Sequence, residues 1–181
     1  MAKNIWVISD THFQHHNIIT YCDRPFKTPR EMDEHMIDKW NSVVKEGDKV
    51  YHLGDVYMGH WEGAEKIFKR LNGQKRLILG NHDNGKDQVL QRYFKKIEIW
   101  RMFPEFGLLL THVPVHKSAL YRGMKNRPTD LTNVMLEDQG TYLKNIHGHI
   151  HNRESPSVDH RNVSVEMIGY KPINIEELRI W

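Results

Sequence analysis

The chain has 181 residues, 39% of them hydrophobic, and its 26 Lys and Arg against 23 Asp and Glu give a formal charge of +3 with 13 His counted as neutral. That length and apolar content suit one domain, residues 1–181, with a sizeable core, and so slight a positive charge does not imply a nucleic-acid partner without a local basic stripe. The single cysteine, Cys22, excludes an internal disulfide and a thiolate metal cage, and no run of about eighteen apolar residues offers a membrane span; with no leader pattern at its start, the expected location is the cytoplasm.

In chain order, Ile5-Trp6-Val7-Ile8 is the first β-branched run and predicts a strand that ends at Asp10-Thr11-His12. Thr28-Pro29-Arg30-Glu31 has capping-box spacing with proline at the first helical position, and Met32, Met36, Ile37, Trp40, Val43 and Val44 share a face. A helix is expected there, stopping near Gly47, its Met and Trp side chains serving as core packing. Val50-Tyr51-His52-Leu53 predicts a second strand, ending at Gly54-Asp55. The spacing of Ala64, Ile67, Phe68 and Leu71 before Gly73 predicts a helix, as does that of Val89, Leu90, Tyr93 and Phe94. Between those helices, Leu77-Ile78-Leu79 leads into Gly80-Asn81-His82-Asp83.

The strand–helix alternation fades after Lys95. Residues 96–103, 106–110 and 162–168 read as strands joined by shorter connections, which predicts a second, mixed and partly antiparallel sheet. Leu108-Leu109-Leu110 runs into Thr111-His112, and the weaker strand 142–146 runs towards Gly148-His149-Ile150-His151. The polar stretch 117–130, with Arg122, Lys125 and Arg127, reads as a loop over the site.

Five strand ends therefore carry oxygen and imidazole donors. In open α/β sheets, sites form beyond the carboxyl ends of strands, so these clusters are expected to converge. A two-metal hydrolase needs two cations roughly 3.5 to 4 Å apart with a bridging carboxylate, and Asp55 is the obvious bridge. Asp10 and His12, two apart at a strand end, are placed to chelate one ion together, and His149 and His151 repeat that spacing while leaning towards different ions. Gly148 permits a close approach or a positive φ. Gly80-Asn81-His82-Asp83 offers an amide oxygen as ligand, a histidine as acid and a carboxylate to orient its ring. His52 and His147, inside strands, read as core or supporting histidines, while His116 and His160 read as bystanders.

The ordered set Asp-x-His, Gly-Asp, Gly-Asn-His-Asp, His and Gly-His-x-His, from residue 10 to residue 151, resembles the calcineurin-like metallophosphoesterase superfamily. The run at 10–19 with Arg24-Pro25-Phe26 further resembles a group of small bacterial and phage phosphoesterases. The resemblance implies that Asp10, His12, Asp55 and His151 hold one ion and that Asp55, Asn81, His112 and His149 hold the other. It implies a four-layer α-β-β-α sandwich of two mixed β-sheets flanked by helices. His82 is then no ligand but the general acid that protonates the leaving oxygen, with Asp83 holding its tautomer and raising its pKa, while a water acidified between the ions attacks phosphorus directly. His15, by its match to the subgroup, and Arg24, as a phosphate clamp, are the candidate substrate contacts. One departure lies after Asp55, where Val56-Tyr57-Met58-Gly59 lacks the charged residue often seen three positions on.

Two divalent ions are expected. Mixed oxygen and imidazole donors suit Mn²⁺, Fe or Zn²⁺, with Mn²⁺ favoured, and are too nitrogen-rich for a Mg²⁺-only or Ca²⁺ site. The expected partner is a small phosphoester, monoester or diester, nucleotide-like chemistry included; no membrane partner is expected, and oligomeric state is left open. Two alternatives share the site: a nuclease, which would need a basic, aromatic-lined groove, and a non-catalytic protein-binding scaffold, against which the complete donor set argues.

Overall fold

The computed structural model describes residues 4–121 and 143–179. Among these, strands β1 (Ile5–Ile8), β2 (Lys49–His52), β3 (Gln74–Ile78), β4 (Ile97–Glu98) and β9 (Ile173–Asn174) form one sheet in the order β4-β3-β2-β1-β9. Strands β5 (Trp100–Phe103), β6 (Leu108–Thr111), β7 (Lys144–His147) and β8 (His160–Asn162) form the other in that order. Both are mixed: β9 is antiparallel to β1 and β5 to β6, while the remaining pairs are parallel.

Period-two alternation sorts each strand between two cores. Ile8, Val50 and Leu77 face helices α1 (His16–Tyr21), α2 (Pro29–Val43), α3 (Trp61–Arg70) and α4 (Gln88–Tyr93). Their neighbours Val7, Tyr51 and Ile78 face the second sheet, where Leu108, Leu110 and Ile146 meet them. Burial on both faces explains why these strands read as continuous apolar runs. The helices thus cover the first sheet, the sheets pack face to face, and the outer face of β6 turns Leu109 towards Leu120 and Leu143. Lys117–Leu120, a 3₁₀ turn, lies on that side.

Thr28 caps α2 as expected, its Oγ1 accepting from the Glu31 N–H at 3.1 Å; the Glu31 carboxylate in turn accepts from Lys27 N rather than from the cap's own N–H. The helix stops at Val43, earlier than the glycine signal at Gly47 suggests. Asp48 gathers the Lys45 N–H, the Asn4 N–H and the Trp6 indole, and so bends the chain before the glycine is reached.

The expected strand over 96–103 is two strands in different sheets, parted at the 75% exposed Ile99, where the chain crosses between layers. The expected strand over 162–168 is only the end of β8. Val163 N still bonds the His147 carbonyl and Ser164 bridges Ser9, but Ser164 N turns to the Asn162 side chain and Val165–Met167 coils into a 3₁₀ turn. Helix α1 and the two-residue β9 lacked a readable period. The proposed loop residues Arg122, Lys125 and Arg127, and Tyr142 of the predicted strand, lie outside the described residues.

Candidate metal centre

The carboxyl ends of β1, β2 and β3 in one sheet meet those of β6 and β7 in the other, and every predicted donor comes from the segment that follows one of these strands. Two groups result. Asp10, His12 and His151 can each offer a donor atom, with all three atoms within 4.8 Å of one another, and Asp55, His112 and His149 do the same. Asn81 joins the second group: its Oδ1 lies 2.8 Å from His112 Nε2 and 2.9 Å from His149 Nδ1. Asp55 Oδ2 stands between the groups, 3.6 Å from His12 Nε2 and 3.4 Å from His112 Nε2.

The backbone that makes this convergence is not extended. Asp10, His12, Asp55, His149 and His151 all have φ between 47° and 70°. Left-handed backbone at non-glycine residues costs free energy, so five such residues at one place mark a constrained site, and Asp and His tolerate that region better than most. The paired spacings therefore do share a site, but through tight left-handed turns. His151 turns to the first group and His149 to the second. Gly148 answers to close approach: a Cβ there would run into Ser9 Oγ and Asp10 Oδ2. At Gly80 a Cβ would collide with the Asp55 carboxylate.

Asp10, Asp55 and His112 are oriented from behind. Asp10 Oδ2 accepts from His149 N at 2.9 Å and Ser164 Oγ at 3.0 Å, while its other oxygen, Oδ1, is buried without a partner. Asp55 Oδ1 accepts from His82 N, freeing Oδ2. His112 Nδ1 sits 2.7 Å from the Leu53 carbonyl, which sets its tautomer and points Nε2 inward. Both ring nitrogens of His12 are buried and unpartnered. A buried orphan carboxylate oxygen beside orphan imidazole nitrogens is costly unless something positive binds there, so the donors fit divalent cations.

Charge follows the same logic. Burial keeps the His12 imidazole neutral and raises the Asp10 carboxyl. Burial would also raise Asp55, but the hydrogen bond and charge of His112, with the His82 N–H, hold it well below the usual carboxylate range. For His151, burial is overridden by its contacts with Cys22, Glu166 and Asp10, which push it up to about 10. Burial of Glu166 is likewise overridden, by His151 and Arg24, which bring it down to about 2.

Two predicted roles are corrected by the geometry. Arg24 does not face a substrate. Only 3% exposed, it donates to the Asp10 and Thr11 carbonyls and, through Nε and Nη2, to Glu166 Oε1 at 2.9 and 2.7 Å. Asp83 does not orient the His82 ring. Its carboxylate accepts the N–H groups of Asp55, Val56 and Gly80 and so ties together the turns after β2 and β3. His82 itself is exposed, its ring centroid 5.8 Å from that of His12, and His15 stands on the same side at 5.4 Å. His52 bonds Thr11 and His147 bonds Ser155, as supporting histidines do. His160 likewise spans Ser157 and the Val115 carbonyl.

Sequence reasoning missed Glu166, Ser164 and the nearness of Cys22. Glu166 Oε1 lies 3.1 Å from His151 Nδ1, closing a chain from Arg24 through Glu166 to a candidate ligand. Cys22 can bring its thiol into one group with His151 and Glu166. No local pattern flags any of the three.

A fold of two packed mixed sheets with a two-group donor site at their joined strand ends defines a metallophosphoesterase-like protein. The sequence profile of the calcineurin-like phosphoesterase superfamily domain matches residues 4–166, and the chain belongs to that family. Its relatives include an uncharacterized protein of Methanocaldococcus jannaschii, 33% identical over 180 residues, covering 96% of this chain and 88% of the relative. The gene 66 protein of Mycobacterium phage L5 is 29% identical over 182 residues, covering 89% of this chain and 82% of the relative. A crystal structure of a protein of unknown function from Aquifex aeolicus superposes with a TM-score of 0.72 at 26% identity, over 98% of both chains. The two mixed sheets with flanking helices that the sequence resemblance implied are found. Membership supports metal-dependent phosphoester hydrolysis in general, and the His and Asp groups suit the divalent metals typical of the family. Among the described residues no helix is long and apolar enough to cross a membrane.

Proposed function

We propose that this protein hydrolyses a small phosphoester at a centre of two divalent cations. One cation is held by Asp10, His12, His151 and Asp55, the other by Asp55, Asn81, His112 and His149. The observation that carries the reading is Asp55 Oδ2, poised between the imidazoles of two separately assembled donor groups. When bound, such a pair of ions clamps phosphoryl oxygens and lowers the pKa of water.

The chain's own residues do the rest. Asp55 keeps the two groups in register, and the backbone bond from His82 to its Oδ1 couples the acid's position to that of the bridge. The exposed His82 ring, beside His12 at the mouth, is placed to give a proton to the leaving oxygen. His15, half-buried with its ring beside that of His12, is the candidate donor to a phosphoryl oxygen. Mn²⁺ is the favoured ion, for its match to a mixed oxygen and imidazole set.

The test is to strip the protein with chelator, reload it with Mn²⁺, Zn²⁺ or Fe²⁺, measure bound metal, and follow hydrolysis of bis-p-nitrophenyl phosphate and p-nitrophenyl phosphate. Two ions per chain with metal-restored hydrolysis supports the proposal, and the preferred ester separates diesterase from monoesterase. Fewer than one ion per chain and no hydrolysis would sink it in favour of a scaffold.

A further inference from the structure

A cavity of about 550 Å³ opens beside the second donor group, with Asn81 and His112 at its inner end. Its walls run outward from the turn after β3 along the first strands of the second sheet. Leu79, Ile99, Trp100, Met102 and Val115 give it an apolar lining, and none of the described lining residues is an Asp, Glu, Lys or Arg. Ile99 is 75% exposed and Trp100 57%, so large apolar side chains stand uncovered at its rim. This volume lies within the range of small-molecule sites, and an apolar space with a few polar groups at one end is their usual make-up.

The polar groups at that end are candidate metal ligands. Anything held there through a phosphoryl group has its organic part directed along this cavity or away from it into solvent. The opposite side of the centre differs: His15, His82 and the buried ion-paired Arg24 and Glu166 lie there.

Resting on the function proposed above, we infer that the cavity receives the organic group of the substrate and that this group is uncharged and apolar. A second phosphate or an ionised sugar acid would find no charged partner on the described walls. An aromatic ring or nucleobase would meet Trp100, and an alkyl or acyl chain the aliphatic walls; the shared chemistry is apolar surface joined to a phosphoester.

Calorimetric titration of the Mn²⁺-loaded full chain with methyl-, butyl- and phenylphosphonate tests this without turnover, alongside hydrolysis of bis-p-nitrophenyl phosphate. Phenylphosphonate is expected to bind roughly ten- to thirtyfold more tightly than methylphosphonate, the gain from burying a ring. Butylphosphonate matching the phenyl compound would assign an alkyl-type group, and butyl well below phenyl a ring. The gain should vanish in Trp100→Ala and in Ile99→Asp, two exposed positions, and persist in Val158→Asp, on an exposed surface away from the cavity. Equal affinities for all three ligands, or a gain that survives both cavity variants, would overturn the subsite while hydrolysis leaves the phosphoesterase intact. Absence of both phosphonate binding and hydrolysis would overturn the phosphoesterase and the subsite with it.

Discussion

The two halves of the candidate centre are built differently. The half around Asp10, His12 and His151 is walled in: Asp10 and His12 are buried, Arg24 and Ser164 back Asp10, and Glu166 backs His151. The half around Asn81, His112 and His149 is open: Asn81 and His149 are exposed, and it gives onto the apolar cavity. An enclosed half with fixed ligands favours retention of an ion, and an open half leaves room for what the ion is to bind. Asp55 Oδ2 faces a histidine of each, His12 on one side and His112 on the other.

The sharpest way to break this contrast is to remove what the halves share. Asp55→Asn is expected to deplete both ions and abolish hydrolysis together; full metal occupancy in that variant, by elemental analysis, would argue that the halves do not share a bridge. Next in size is His82→Ala, which should leave both ions bound while turnover falls roughly 10²- to 10⁴-fold, the usual worth of an acid or base. An unchanged rate would remove His82 from the chemistry.

Glu166→Gln sharpens the comparison, because it weakens only the enclosed half. Ion affinity there should fall roughly 10- to 100-fold, the usual cost of altering a supporting partner, while the open half keeps its affinity. Equal loss in both halves, in a two-site titration, would show that the backing residues do not distinguish them. The smallest effect belongs to a control far from the site. Thr28→Ala should cost about 1 kcal/mol of stability through loss of the α2 cap, with no change in metal content. Denaturant unfolding measures the first and elemental analysis the second.

The legible part of the molecule was its inward-facing chemistry. Asp10, His12, Asp55, Asn81, His112, His149 and His151 could be picked out because each follows an apolar run, and strand ends are where α/β proteins build sites. What lay behind them was not legible. Arg24 beside Pro25 reads as a surface turn, yet its partner Glu166 is 142 positions away in a 3₁₀ turn that was expected to be strand. Asp83, next to His82 in sequence, suggests a ring partner, but three backbone N–H groups compete for its carboxylate and win. Pairings across such distances leave no period or spacing to read. The same holds for β9, two residues long and defined only by its neighbour β1.

Each donor group draws on both sheets. Asp10 and His12 follow β1 and Asp55 follows β2, whereas His112 follows β6 and His149 and His151 follow β7. The sheets are thus like two boards glued across an apolar face, with a pair of rivet holes drilled through both at one end. A riveted joint resists shear that glue alone would let creep, so ion occupancy should set how firmly one sheet is registered on the other. Mass action makes that firmness a function of the free ion, adding about 2.7 kcal/mol at a concentration one hundred times the dissociation constant. In a cell, the supply of the ion would then govern how long the folded chain lasts as well as how fast it works.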